Sequence, residues 1–213
     1  MQPIIFNKAG LVVSTQGLAE RGLSEVRVTV NTPTLLGEAE FFLGFIGDYI
    51  LQQNARIRHG DTLNYGYWIV KFQAAKDNVL EVWEYNPEAT EFIPGGSLTL
   101  NYWKEQHRIC DLYGAEFTPP RPDKLTALSD GVMEGLPVQA VRYPWQEHMS
   151  GWLVVTERWD KNIKSLTNHH TYHLTATRPD LAPFIALPVG FRFDLTGRHR
   201  AWVDAEVQHQ PKI

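Results

Sequence analysis

The sequence predicts an α+β protein in which helices pack on a mixed or mainly antiparallel sheet, with room for two subdomains. Hydrophobic and polar residues alternate in residues 25–30, which is the period of a half-buried β-strand. Residues 79–85 predict a second strand, with Val79, Glu81, Trp83 and Tyr85 on one side and Leu80, Val82 and Glu84 on the other. Between these segments, apolar residues recur at helical spacing over residues 36–53. The composition is that of a globular protein, since 43% of the 213 residues are hydrophobic and 21% are charged.

The first half of the chain predicts strands around two helices. Thr34 is the predicted N-cap of the first helix. The second helix follows the loop Pro94-Gly95-Gly96, with Ser97 as its predicted cap and Gly114 as its stop. The predicted strands are residues 11–13, 25–30, 63–72 and 79–85, of which the last two form an antiparallel hairpin.

The composition changes at residues 118–123, where the sequence TPPRPD predicts a stiff, extended segment. We therefore predict an N-terminal α+β region over 1–117, a Pro/Gly-rich connection over 118–137, and a C-terminal α+β region over 138–213. The elements predicted in the last region are strands at 138–143, 152–156 and 191–195, a helix at 165–177, and a short second helix entered at Pro179.

Charge and cysteine content exclude several classes of protein. The formal net charge of −4 argues against a nucleic-acid binder, which usually presents a basic face to phosphates. Cys110 is the single cysteine, so no intramolecular disulfide and no thiolate-rich zinc site can form. A cytoplasmic location fits this cysteine content. We expect no signal peptide and no membrane span, because no apolar run approaches about 20 residues.

The histidines at positions 169, 170 and 173 are the first candidate for chemistry. On a helix, His169 and His173 would share one face, and imidazoles at that spacing can bind zinc. A zinc hydrolase usually has a Glu directly after the first His, where this chain has His170. A third ligand would have to come from elsewhere, such as His148 or Asp160. We therefore expect no metal, and keep a metal-dependent enzyme built on His169 and His173 as an alternative.

Other catalytic patterns are missing from the sequence. Ser150 precedes a predicted strand, so it does not match the strand-to-helix elbow of a hydrolase nucleophile. Cys110 falls on the apolar stripe of a predicted helix and is expected to be buried. Neither a P-loop nor a dinucleotide fingerprint occurs. We expect no catalytic residues and no cofactor.

The order of motifs between Met149 and Leu195 resembles a bacterial immunity-protein family of polymorphic-toxin systems, the immunity family numbered thirty-three. The resemblance is clear over residues 131–204 and weaker over 36–113, where Trp68, Phe72 and Trp103 fit. The motifs that carry it are Ser150-Gly151-Trp152, His169 and His173, Arg178-Pro179-Asp180, Ala186-Leu187-Pro188 and Gly190-Phe191-Arg192-Phe193.

This resemblance implies an inhibitor that binds a toxin, and it makes the two histidines part of the scaffold. The implied partner is a cognate toxin or effector domain, for instance a nuclease or an ADP-ribosyltransferase delivered by type VI secretion, with no nucleic acid and no membrane bound directly. A non-enzymatic adaptor of the same secretion locus is a further alternative.

Tryptophans near turns and charges are the predicted anchors for such a partner, because binding surfaces are enriched in Trp, Tyr and Arg. Acids beside them could mimic an acidic substrate or pair with basic residues around a catalytic cleft. The toxin-binding candidates are Trp145, Glu147, Glu157, Trp159, Asp160, Asp180, Trp202 and Asp204.

Overall fold

The computed structural model describes residues 4–208 and confirms an α+β fold built on two mixed sheets. Contacts group the chain into two compact units, Met1–Lys104 and Glu105–Ile213. The boundary falls inside helix α2 (Ser97–Leu112). Residues 118–137, where we predict a connection, lie within the second unit. The division into an N-terminal region 1–117, a connection 118–137 and a C-terminal region 138–213 stays a prediction.

The first unit is a single sheet covered by a helix. Its strands are β1 (Ile5–Ala9), β2 (Val12–Gln16), β3 (Glu25–Thr29), β4 (Thr62–Tyr65), β5 (Trp68–Ala74), β6 (Val79–Tyr85) and β7 (Phe92–Pro94). They pair in the order β1-β2-β3-β6-β5-β4, with β7 on β6, and β3 and β6 run parallel. Helix α1 (Leu36–Gln52) buries Phe42, Leu43 and Ile46 against this sheet, as its helical spacing predicts.

Three local predictions for this unit are wrong. Residues 63–72 form two strands, β4 and β5, because Gly66 adopts a φ of +57° and turns the chain. Thr32, not Thr34, accepts a backbone hydrogen bond at the turn that leads into α1. At the start of α2, the Glu84 carboxylate accepts the amides of Leu98 and Thr99 at 2.9 and 2.6 Å, whereas the Ser97 hydroxyl accepts the Asn31 amide.

The second unit is a six-stranded sheet. Its strands are β8 (Leu125–Leu128), β9 (Gln139–Arg142), β10 (Met149–Val155), β11 (Thr167–His170), β12 (Phe191–Asp194) and β13 (Arg200–Val203). They pair in the order β11-β8-β10-β9-β12-β13, with β8 and β10 parallel and the other neighbours antiparallel. The unit also contains α3 (Thr171–Thr177), the 3₁₀ helix Pro179–Phe184 and α4 (Ala205–Gln208). The strands predicted at 138–143, 152–156 and 191–195 are β9, β10 and β12.

The helix predicted over 165–177 is wrong in its first half. Residues 167–170 form strand β11, which pairs antiparallel with β8, and helix α3 starts only at Thr171. Thr, Asn and His are weak helix formers, so pairing with β8 decides the conformation of these residues. No helix in the described part of the chain is long and apolar enough to cross a membrane.

Candidate functional site

The inner face of the second sheet is a closed core. Trp152, Val154 and Phe193 are fully buried there, and the Trp152 indole nitrogen donates to the Ile185 carbonyl oxygen at 3.0 Å. Phe184 of the 3₁₀ helix packs its ring 5.1 Å from that of Phe193. This face is therefore fully used in holding the fold together.

Gly151 allows strand β10 to approach the backbone of Tyr143 closely, next to Trp152. It adopts a φ of +86°, and a Cβ atom at this position would lie 2.5 Å from the Tyr143 carbonyl oxygen. The Ser150 hydroxyl contacts that of Thr126 at 2.8 Å, and Thr126 contacts that of Thr171 at 2.9 Å. The Ser150-Gly151-Trp152 motif is thus structural, and Ser150 lies in a buried hydroxyl chain.

Two buried arginines hold the loops around this core. Arg178 donates to the carbonyls of Val132 and Leu136 at 2.8 and 3.0 Å and pairs with Asp180. Arg142 donates to the carbonyls of Ser150, Thr118 and Leu187, with no carboxylate paired to it in the described part of the chain.

Burial lowers the pKa of Arg142 to about 10, which still leaves it charged at neutral pH. The sequence reasoning missed Arg142, because an arginine in a predicted strand carries no local signal of burial. Cys110 is buried as expected, and burial raises the pKa of its thiol to about 11.

The outer face of the second sheet differs in character. Register places one row of side chains across it, from Ala127 through Leu153 and Val141 to Arg192 and Trp202. Partly buried aromatic and aliphatic residues pack over the middle of this row: Tyr143, Trp145, Met149, Val155, Trp159 and Leu166. The outer face thus presents incompletely buried apolar side chains, whereas the inner face does not.

Two open grooves lie on the outer face. The larger, about 420 Å³, has Val141, Leu153 and Val155 in its lining, with Trp159 and Glu157 beside them. The smaller, about 270 Å³, is lined in part by Trp145, Met149 and Ile163, and the Ile163 side chain is 77% exposed. These grooves bring Trp145, Trp159 and Glu157 together on one face, a grouping that their spacing in sequence does not reveal.

The third candidate tryptophan lies at the edge of the same face. Trp202 is on the edge strand β13, is 38% exposed, and stacks under the guanidinium of Arg200 at 4.9 Å. Glu147 is an exposed neighbour of Trp145, and its carbonyl accepts a hydrogen bond from Lys124.

The remaining acids have partners within the chain. Asp160 accepts hydrogen bonds from the Ser165 hydroxyl and the Asn162 amide, which lower the pKa of its carboxyl. Asp204 pairs with Arg192, which lowers the pKa of the Asp204 carboxyl, and it accepts the Glu206 amide. Asp180 pairs with Arg178, at the start of the 3₁₀ helix that packs on the inner face. These three carboxylates therefore stabilise local structure.

His169 and His173 do not lie together on one helix, which is the arrangement that a zinc site at this spacing requires. His169 lies on strand β11 and His173 on helix α3, so the two do not share a helix face. The His170 and His173 rings are 5.8 Å apart, and His170 Nδ1 contacts the Asp123 carbonyl oxygen at 2.8 Å. Partial burial and the nearby His170 and His169 lower the pKa of His173. Among residues 4–208, no group of three or more His, Cys, Asp or Glu side chains could hold a metal ion.

Comparison with known proteins identifies the unit that carries this face. A family model described as Imm33-like domain matches residues 105–204. The match begins at Glu105, the first residue of the second unit, so most of the weaker resemblance over residues 36–113 lies outside it. No curated protein and no solved structure matches the chain. The match confirms the resemblance drawn from the motifs between Met149 and Leu195, and residues 105–204 of this chain are similar to the Imm33-like domain family.

Proposed function

We propose that this protein is an immunity protein that binds a cognate antibacterial toxin domain and neutralises it by covering the toxin's active site. The observation that carries the proposal is that the Imm33-like domain presents Trp145 and Trp159 beside two grooves on the outer face of its sheet. Rigid aromatic side chains at the rim of an apolar groove are what a hot spot for a folded partner requires.

Inhibition by coverage requires no chemistry from this chain. Val141, Leu153 and Val155 offer an apolar floor, and Trp159 offers a rigid wall beside them. Glu157 and Lys161 at the same groove, and Glu147 near Trp145, give the rim charges that set register and exclude wrong partners. The proposal places the toxin on this face, with the protein acting in the cytoplasm.

The toxin's chemistry is a separate part of the proposal. Both a nuclease and an ADP-ribosyltransferase have basic residues around clefts that bind phosphates, and either would meet a protein of net charge −4 favourably. The proposal requires only that the toxin's cleft be covered.

Co-expression with the toxin domain encoded beside this protein, in a toxin-sensitive strain, tests the proposal. We expect growth, and a one-to-one complex after purification of the pair. The matched variants are Trp159→Ala, on the outer face, and Phe41→Ala, whose 61% exposed side chain lies on α1 outside the family match. Protection should fall with the first variant and persist with the second. Absence of both protection and complex with the unaltered protein would refute the proposed function.

A further inference from the structure

Strand β13 is the last strand of the second sheet, and within residues 4–208 no further strand pairs with its outer side. The Asp204 amide donates to the Gly190 carbonyl oxygen at 2.7 Å, and this pair continues the register in which Trp202 faces Arg192 and Arg200 faces Asp194. Because hydrogen-bonded pairs alternate along an antiparallel ladder, residues 200, 202 and 204 direct their backbone groups inward to β12. The N–H and C=O groups of Ala201 and Val203 therefore point outward, along the free edge.

The side chains on this edge leave it open to pairing. Val203 is 50% exposed and Trp202 is 38% exposed, whereas Ala201 between Arg200 and Trp202 is 7% exposed, and none of these three is a proline or a lysine of the kind that protects an edge. Helix α4 turns back toward the sheet, since a Cβ on Gly190 would contact Gln208 and Val207 is buried with Val141 and Leu153. The described chain beyond β13 thus leads away from the edge.

Two opposite charges lie at equal distances on either side of Trp202 along this edge. Arg200 and Asp204 are each two residues away, on the same face of the strand as Trp202, and they carry opposite charges. If two copies paired antiparallel about a twofold axis at Trp202, each Arg200 would face Asp204 of the other copy. Each copy already pairs Arg200 with Asp194 and Asp204 with Arg192. Negative and positive side chains would therefore alternate from strand to strand across the interface between the two copies.

The direction of the backbone N–H and C=O groups along β13 favours the same register. In this pairing Ala201 of one copy would face Val203 of the other, and these are the residues whose backbone groups point outward. Four backbone hydrogen bonds would form, and the two tryptophans would meet as a non-hydrogen-bonded pair, in which Cα atoms lie about 4.5 Å apart. Aromatic cross-strand pairs are among those that stabilise a sheet.

We propose that the second unit associates with a second copy of this chain through β13, joining two six-stranded sheets into one continuous sheet. The proposal is independent of the toxin-binding function, which is assigned to the grooves around Trp145 and Trp159. A four-residue edge buries less area than a standard interface, so we expect a dissociation constant of roughly 10 µM or weaker. Added salt should weaken the dimer further, because Arg200 and Asp204 are surface charges.

Sedimentation of the full chain over a range of concentrations tests the dimer. We expect a concentration-dependent shift from monomer to dimer, which Val203→Pro abolishes and Val203→Thr leaves within about threefold. The proline removes only an N–H that points away from β12, so circular dichroism should show a folded variant. A monomer throughout the concentration range, or a dimer that persists in a folded Val203→Pro variant, would overturn the proposal.

Disulfide trapping tests the register and does not depend on the proline variant. Trp202→Cys should cross-link two copies under mild oxidation, because a Cα separation of about 4.5 Å suits a disulfide. Val203→Cys should cross-link poorly, because its counterpart in the other copy is diagonal at about 7–8 Å. The unaltered chain is the control for Cys110, which is buried. Equal trapping at both positions, or trapping at neither, would contradict the twofold axis at Trp202. If a toxin strand pairs with β13 instead of a second copy, the purified protein without toxin would remain a monomer, and this would also overturn the proposal.

Discussion

Gly151 shows how a single residue lets the second unit close. Its φ of +86° belongs to the region that favours glycine, and a Cβ at this position would meet the carbonyl oxygen of Tyr143, the residue that directly follows β9. A side chain there would separate the Trp152 end of β10 from the residues that follow β9. The second unit of this chain therefore depends on a glycine within a buried strand, where glycine is otherwise unfavourable.

Gly151→Ala should strongly destabilise the protein. The left-handed conformation alone costs a non-glycine residue about 1–2 kcal/mol, and contact with a backbone oxygen adds to it, so we expect a loss of at least about 3 kcal/mol in the free energy of unfolding. Gly135→Ala is the matched control, because Gly135 has a φ of +91° but open space around its Cα. Urea denaturation of both variants measures the difference. Equal losses would mean that the contact with Tyr143 relaxes at no cost.

The sequence identified several such residues without revealing what they do. The motif Ser150-Gly151-Trp152 carries the family resemblance, but the positive φ of Gly151 depends on the approach of Tyr143, which is eight residues away. The sequence offered no sign of the role of Arg142, because its three carbonyl acceptors, on Ser150, Thr118 and Leu187, come from separate segments of the chain. Contacts of this kind depend on the tertiary fold, and no local pattern predicts them.

At the scale of elements, helix α2 is held at its start by a strand. The Glu84 carboxylate on β6 accepts hydrogen bonds from two backbone amides and from the Thr99 hydroxyl, the last at 2.7 Å. Glu84 is only 3% exposed. Burial raises the pKa of this carboxyl, and the hydrogen bonds from Thr99 and Leu98 oppose that rise. An acid at a helix N-terminus also interacts favourably with the helix dipole.

Glu84 should make stability depend on pH. With a folded-state pKa above the unfolded value, the folded protein binds more protons, so this group's contribution is fully present below the usual glutamate pKa and is lost as pH rises through the folded-state pKa. We expect the difference in unfolding free energy between the unaltered protein and Glu84→Gln to decrease from pH 4.5 to pH 8. Glu81→Gln, on the same strand, is the control. A difference that grows with pH would show that the hydrogen bonds outweigh burial.

The segment from β11 to α3 shows where sequence prediction fails at this scale. Long periodic elements such as α1 were predicted almost to the residue, because an amphipathic stripe of 17 residues is a strong signal. Residues 167–170 carry no such signal, and their conformation is set by pairing with β8, a strand hidden within the Pro-rich stretch. Short edge strands are determined by their neighbours more than by their own residues.

The same segment predicts a metal-free protein. His169 and His173 lie on different elements, and a zinc site needs a third and fourth ligand with suitable geometry. We expect far less than one equivalent of zinc by elemental analysis of purified protein, and no metal-dependent phenotype for His169→Ala. Stoichiometric zinc that disappears in the His169→Ala or His173→Ala variant would make the metal-dependent enzyme the leading interpretation.

At the scale of the whole molecule, the chain combines a second unit that is similar to the Imm33-like domain family with a first unit that the family model does not match. The sequence predicted the family and the fold class, because motif order and strand periodicity both survive in a linear pattern. It did not predict which tryptophans would share a surface. Trp145 and Trp159 both pack against Val141 and Leu153, which are paired neighbours on β9 and β10, while Trp152, on β10 itself, is fully buried on the opposite face.

This division of the tryptophans gives a prediction about toxin binding by the whole protein. An immunity protein must hold a lethal partner, so we expect nanomolar affinity or tighter, about −12 kcal/mol, over an interface of roughly 1,600 Å². Trp145→Ala and Trp159→Ala should each weaken binding by roughly 2 kcal/mol or more, since they remove partly exposed anchors. Their melting temperatures should stay close to that of the unaltered protein, because neither side chain belongs to the inner core.

Trp152→Ala is the matched control within the same strand pair. Its side chain is fully buried and its indole nitrogen donates to Ile185, so truncation should lower the unfolding free energy by about 3–5 kcal/mol. Calorimetric titration against the toxin domain, with a melting curve for each variant, separates the two effects. If Trp145→Ala and Trp159→Ala bind with unchanged affinity, the toxin does not dock on the outer face. If they lose affinity only in proportion to lost folding, these residues are structural and the toxin contacts must lie elsewhere.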